Sequence, residues 1–179
     1  ISSDVTEQTL KLTDQNAIYH ALDKAMAIIE FTPSGEIVNA NKNFLQAMGY
    51  QLSEIVGRHH KMFCDDCFYR ENPQFWQDLA AGKLSSGRFK RYDARGNEIW
   101  LEASYNPVRD NNGNIIKVIK FATAITERVM QAMRTKEAAQ VAHETALQTF
   151  HIAEQGKSHI ESSLDLASEI SETVLNTNQ

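Results

Sequence analysis

The stretch AIIEFTPSGEIVNA, residues 27–40, sets a four-residue turn, Thr32-Pro33-Ser34-Gly35, between two short β-prone runs. Proline second and glycine fourth are the preferences of a type I turn. Ala27–Phe31 and residues 36–40, which carry Ile28, Ile29, Phe31, Ile37 and Val38, are therefore expected to pair as a hairpin. Further along, residues 87–92, 98–106 and 114–124 form three more such runs, parted by Asp93-Ala94-Arg95-Gly96 and Asp110-Asn111-Asn112-Gly113. A sheet of five antiparallel strands is the expectation. In the fourth run Ile99, Leu101, Ala103 and Tyr105 alternate with Trp100, Glu102, Ser104 and Asn106, the period of a strand with two unlike faces.

About 45 residues separate the second run from the third, and they do not read as strand. Residues 41–48, 52–56 and 73–81 read as short helices, with start signals at Ser53-Glu54 and Asn72-Pro73 and stops at Gly49, Gly57 and Gly82. Two strands, short helices and three strands describe an α+β domain whose helices cover one sheet face and leave a cup.

The ends of the chain read differently. From Glu127 onward there is one glycine, Gly156, and no proline, which predicts a long helix. Ala139, Ala146, Ala153, Ile160, Ala167 and Val174 recur every seventh residue, the spacing of a seam that faces a partner helix. The companion series is weaker, with Phe150 and Leu164 interrupted by His143, Lys157 and Ser171. Leu10, Ala17, Ile18, Ala21, Leu22 and Ala25 make a shorter amphipathic stretch before the first strand. Asp4-Val5-Thr6-Glu7 is echoed by Ala124-Ile125-Thr126-Glu127, as if a copy of the same domain ended at Glu7. An opening Ile1 and a polar close at Asn176-Thr177-Asn178-Gln179 suit a piece of a longer protein.

The 179 residues suffice for one ordinary core with length left for extended helices. A formal charge of -5 gives no electrostatic reason to expect a nucleic acid or an anionic membrane. No apolar run approaches the roughly 18–20 residues that cross a bilayer. Two cysteines, Cys64 and Cys67, are too few for a disulfide-stapled fold, and a reducing, cytoplasmic setting is expected.

Taken together, residues 25–127 resemble a PAS domain. The stretch IVNANKNFLQAMGYQLSEIVG, residues 37–57, looks like that family's second strand and first helices, with Asn41, Phe44, Gly49, Tyr50, Glu54 and Gly57 in place. GRFKRYDARGNEIWLEASYNPVRDNNGNIIKVIKFATAIT, residues 87–126, looks like its last three strands. The family usually closes on Asp-Ile/Val-Thr, whose aspartate links the domain to its output helix; Ala124 stands there in this chain. GRHHKMFCD, residues 57–65, and Trp100 resemble the branch found in aerotaxis-type receptors and soluble tandem-PAS methyl-accepting chemotaxis proteins.

The resemblance implies a sensory module: residues 1–24 a linker helix after a preceding PAS domain, 25–127 the sensor, and 128–179 the start of a signalling coiled coil. It implies a homodimer through the flanking helices, and an adaptor and histidine kinase as partners of parts further along. The stimulus it implies is redox, oxygen or a small ligand, with FAD or haem as the candidate cofactors and an empty pocket as the other option. A cofactor-free dimerisation and coupling module is the alternative reading. Within the cup, His59 or His60 could offer haem iron an imidazole, or could simply sit at a helix start or on the surface. Phe63, Phe75, Trp76 and Trp100 could stack on a flavin or belong to the core. Asn39, Asn41 and Asn106 could read polar ligand edges or cap turns and helices.

Other residues carry less. Cys64, Cys67 and His60 fall short of the four ligands of a closed zinc site, and a redox pair or two plain loop thiols remain as readings. Arg88, Lys90 and Arg91 read as a solvated strand face. Glu154-Gln155 resembles the pairs that such receptors present for methylation. No Gly-rich phosphate cradle, nucleophile elbow or HExxH is present, so no enzyme activity is expected.

Overall fold

The structure is a computed structural model that describes Ser2–Thr177, with side chains described for residues 11–174 and 176. Ile1, Asn178 and Gln179 lie outside the described residues. So do the side chains of Asp4, Val5, Thr6 and Glu7, on which the echo of a preceding domain rests.

The expected hairpin forms from β1 (Ala27–Phe31) and β2 (Ile37–Ala40). At its tip Gly35 has φ +90°, and an added Cβ would lie 2.5 Å from Trp76 Cε2, so only glycine lets the turn lie against that indole. β3 (Ser85–Tyr92), β4 (Glu98–Arg109) and β5 (Ile115–Ala124) complete an antiparallel sheet of order β2-β1-β5-β4-β3. The hairpin thus joins the sheet through β1 and β5, strands far apart in sequence.

Register decides which side chains share the core. Ile29 pairs with Lys120, Lys120 with Tyr105, and Phe89 with Leu101. Side chains two apart along each strand lie on one face. Ile29 and Phe31, Phe89 and Arg91, Leu101 and Tyr105, and Val118 and Lys120 therefore line a single face. That face packs on the helical segment: α2 (Lys42–Met48), α3 (Leu52–Ile55), a 3-10 turn (His60–Phe63), α4 (Asp66–Glu71) and α5 (Phe75–Ala80). The turn and α4 go beyond the three helices expected from sequence; Asp65 starts α4 by accepting from Phe68 N at 3.0 Å.

The flanking helices are α1 (Ser2–Ala25) and α6 (Thr126–Thr177). Residues up to Val129 form one compact unit and those from Met130 another. The second unit is a single helix, on which Ile160, Leu164 and Val174 are exposed. No helix among the described residues is long and apolar enough to cross a membrane.

Candidate functional site

The 3-10 turn carries His59 at its N-cap and His60 as its first residue, and the two imidazoles go separate ways. His59 Nδ1 accepts from Lys61 N, and its Nε2 lies 3.0 Å from the Ser34 carbonyl at the hairpin tip. His60 has 0% exposure, so the surface reading does not hold for it. Its ring stacks on Phe75 at 5.9 Å between centroids and meets Phe31, Trp76 and Tyr105 edge-on at 5.4–5.6 Å.

Both nitrogens of His60 are engaged. Nδ1 lies 2.8 Å from the Tyr69 hydroxyl and Nε2 2.9 Å from that of Tyr105. Tyr105 also accepts from Arg91 Nη2 at 3.2 Å, and Tyr69 accepts from Trp76 Nε1 at 3.1 Å. A neutral ring protonated on Nδ1 gives each link one donor and one acceptor: Arg91 to Tyr105, Tyr105 to His60, His60 to Tyr69. Burial holds the ring neutral by pushing its pKa well below 6.5, and the charges of Arg91, Lys120 and His59 push the same way. Burial also raises the Tyr105 phenol to about 12.

Around this chain the interior is basic. Arg91 is 1% exposed and Lys120 2%. This corrects the expectation that Arg88, Lys90 and Arg91 form one solvated face: strand alternation turns Arg91 inward with Phe89. Its guanidinium lies over Phe68, 4.2 Å from the ring centroid, and over Phe89 at 5.1 Å. Nη1 donates to Lys90 O at 2.6 Å, and among the described residues Nε has no hydrogen-bond partner. The Lys120 ammonium sits 4.9 Å from the centroid of the Tyr105 ring, and burial beside Arg91 pushes its pKa well below 10.5. Among the described residues no carboxylate forms an ion pair with either cation. A groove of about 370 Å³ between α4 and β3 is lined by Asp65, Phe68, Glu71, Phe89, Lys90, Arg91 and Trp100 among others.

Of the residues singled out in the sequence, His60, Phe63, Phe75 and Trp76 come together here, with His59 at the edge 6.0 Å from Trp76. Others are engaged elsewhere. Asn41 caps α2 and stitches it to α1 and β1: Oδ1 accepts from Ile28 N and Phe44 N, and Nδ2 donates to Asp23 and Met26 carbonyls. Asn106 Nδ2 donates to Ser104 and to Ile119 O. Trp100 Nε1 donates to Glu98 from the face opposite Leu101. Tyr69, Tyr105, Arg91 and Lys120 are the members that sequence reasoning did not select. Cys64 Sγ lies 3.7 Å from His60 Nδ1, and burial raises its thiol to about 11, whereas Cys67 is exposed and accepts from Arg70. Among the described residues no cluster of three His, Cys, Asp or Glu could hold a metal ion.

Haem and FAD can be weighed against this geometry. An axial imidazole needs a free nitrogen, and a planar cofactor needs a slot between rings. His60 supplies neither while Tyr69, Tyr105, Phe75 and Trp76 close on it. As packed, the residues fit neither group.

The strand order, the helical segment between β2 and β3, and a match of residues 37–122 to the PAS fold family define a PAS-fold domain. The chain is 38% identical over 157 residues to the "Biofilm dispersion protein BdlA" of Pseudomonas aeruginosa, an alignment covering 86% of this chain and 37% of that protein. It is 27% identical over 96 residues to Phototropin-2 of Oryza sativa subsp. japonica, covering 53% of this chain and 11% of that protein. The chain thus spans well under half the length of either relative. Among solved structures, an RNA-binding light-oxygen-voltage receptor superposes with a TM-score of 0.59 at 23% identity, covering 75% of this chain and 39% of that one. A light-oxygen-voltage domain studied with a flavin analogue gives 0.55 at 23% identity, over 69% and 96%.

Proposed function

We propose that this chain is the sensing and coupling segment of a chemotaxis-type transducer: the PAS domain perceives a small ligand and relays it to a homodimeric helical output. The observation that carries the reading is the buried chain Arg91–Tyr105–His60–Tyr69–Trp76, which ties β3, β4, the 3-10 turn, α4 and α5 into one hydrogen-bonded unit. A ligand that alters one link shifts the others, and β4 also holds the start of α6 through Trp100. The likeness to the biofilm dispersion protein supports the output half, because 157 aligned residues exceed the sheet domain and extend into the flanking helices.

In this reading the segment acts in the cytoplasm without catalysis. Two copies pair through α1 and α6, and parts of the protein beyond this chain engage an adaptor and a histidine kinase, with chemotaxis or biofilm behaviour as the output. The side chains that fill the interior favour one second reading, a cofactor-free module that spaces and couples its neighbours. Disulfide trapping tests the pairing. With Cys64 and Cys67 replaced by serine, Ala146→Cys and Ala153→Cys should cross-link readily and Gln148→Cys should not. A monomer in sedimentation, or equal cross-linking at all positions, refutes the reading. A Soret or flavin band in protein grown with haem precursor and riboflavin would return the stimulus to redox or oxygen.

A further inference from the structure

The PAS interior holds two buried basic side chains, Arg91 and Lys120, and among the described residues no carboxylate forms an ion pair with either. Burying a charge without a partner costs several kcal/mol, and buried donors almost always find acceptors. Among the described residues Arg91 Nε does not, and the Lys120 ammonium lies over the Tyr105 ring. Cation–π contact offsets part of this cost; Nη1 and Nη2 have acceptors in Lys90 O and Tyr105 Oη, and Nε is the donor left unanswered. The groove between α4 and β3 counts Arg91 among its lining residues and has the aromatic walls Phe68 and Phe89; of the two carboxylates that also line it, Asp65 is paired with Lys90 at 3.3 Å, and Glu71 is the other. A buried guanidinium with one unanswered donor, beside a groove with aromatic walls, matches a ligand with an anionic head and an apolar body.

We propose that the domain binds a small organic carboxylate, its head on Arg91 with Lys120 as the second positive charge and its apolar body against Phe68 and Phe89. Tyr105 stands between the two cations, hydrogen-bonded to Arg91 Nη2 and carrying the Lys120 ammonium over its ring. A carboxylate that draws Arg91 away from Tyr105 frees that phenol to change its bond to His60, so occupancy is felt along the buried chain. This names the ligand class for the sensing role proposed above and rests on that reading.

The experiment is a thermal-shift titration of the full 179-residue chain at constant ionic strength with benzoate, phenylacetate and hexanoate, each beside its uncharged amide. At least one acid should raise the melting midpoint with saturation while its amide does not. Lys120→Met, which swaps the ammonium for an apolar group of similar length, should keep or raise the midpoint of the free protein and weaken acid binding by at least about tenfold. Arg91→Gln should abolish the response. No shift with any acid, an equal shift with an amide, or unchanged affinity in a folded Lys120→Met protein overturns the proposal. A carboxylate that binds without changing the α6 cross-links would refute the relay and leave the site standing; a cross-linked dimer indifferent to all acids would do the reverse.

Discussion

The backbone N–H of Trp100 donates to the side-chain hydroxyl of Thr126 at 2.9 Å, and Ile125 N donates back to Trp100 O at 2.8 Å. These two bonds clamp the first turn of α6 to the beginning of β4, one residue from core Leu101 and five from Tyr105. Ala124, which stands where the resembling family usually has aspartate, is exposed, so the threonine is the side chain seen to make the join.

Replacing Thr126 with valine keeps the shape and leaves the Trp100 N–H without its acceptor. The expected cost is about 1 kcal/mol, or roughly 4–8 °C in the melting temperature of a domain this size. Thr126→Ser should recover most of it. Thermal unfolding followed by circular dichroism checks the cost. If the clamp is also the relay, Thr126→Val makes the α6 cross-linking pattern indifferent to ligand while serine preserves the response.

His60 gives the fold a pH dependence with a defined sign. Its folded pKa lies below 6.5, so the unfolded chain takes up a proton first as the pH falls. Stability is full above about pH 6.5 and declines below it, by at most about 1.4 kcal/mol per pH unit for one proton, until the folded pKa is reached. The groups facing the ring, Arg91 on β3, Lys120 on β5 and neighbouring His59, all deepen the effect. Urea midpoints at pH 7.5 and pH 5.5 should differ in the native sequence and converge in His60→Gln. Equal pH sensitivity in the variant would assign the loss to other groups.

Much of the fold was legible because turn residues punctuate the β-prone runs and β4 alternates between two unlike faces. Ala27–Phe31 is found as expected, and the long α6 follows from a stretch almost without glycine or proline. The turn His60–Phe63 and α4 were not read: the turn is capped by His59, which is not a usual start signal, whereas Asp65 ahead of α4 is one and marks a helix the sequence could have shown. The site was half legible. His60, Phe63 and Trp76 stand out by residue type, whereas Arg91 was hidden in a basic cluster and Lys120 in an ordinary strand. The signal that could have found both is parity: Arg91 shares the register of Phe89, and Lys120 that of Val118 and Ala122. A cation at a core position of a strand contradicts its own pattern, and such conflicts mark sites.

Asn41 separates a structural role from a ligand-reading one. Its amide joins α1, β1 and α2 through Asp23, Met26, Ile28 and Phe44, far more than an N-cap alone requires. Asn41→Ala should cost about 2–3 kcal/mol, the cap plus the orphaned backbone groups. Asn41→Asp keeps the acceptors and loses the donors, so it should fall between the two. Denaturant unfolding measures both. Neither should alter carboxylate affinity in the fraction that remains folded; a selective loss of binding would place Asn41 in the ligand site.

The two thiols should differ in reactivity because their surroundings differ, although only two residues part them. A thiol must ionise to attack, and burial lifts Cys64 to about 11, leaving almost no thiolate near neutral pH. Cys67 is exposed, open to reagent, and its sulfur accepts from Arg70 Nη2 at 2.9 Å. Iodoacetamide at pH 8 followed by peptide mass spectrometry should modify Cys67 quickly and Cys64 only when the domain unfolds. Carboxylate binding should slow Cys64 labelling further by closing the interior that Cys64 shares with His60. Rapid labelling of Cys64 in the folded, ligand-free protein would mean that the interior opens to solvent far more often than its packing implies. In that case the His60 chain could not hold the fixed bonds on which the relay depends.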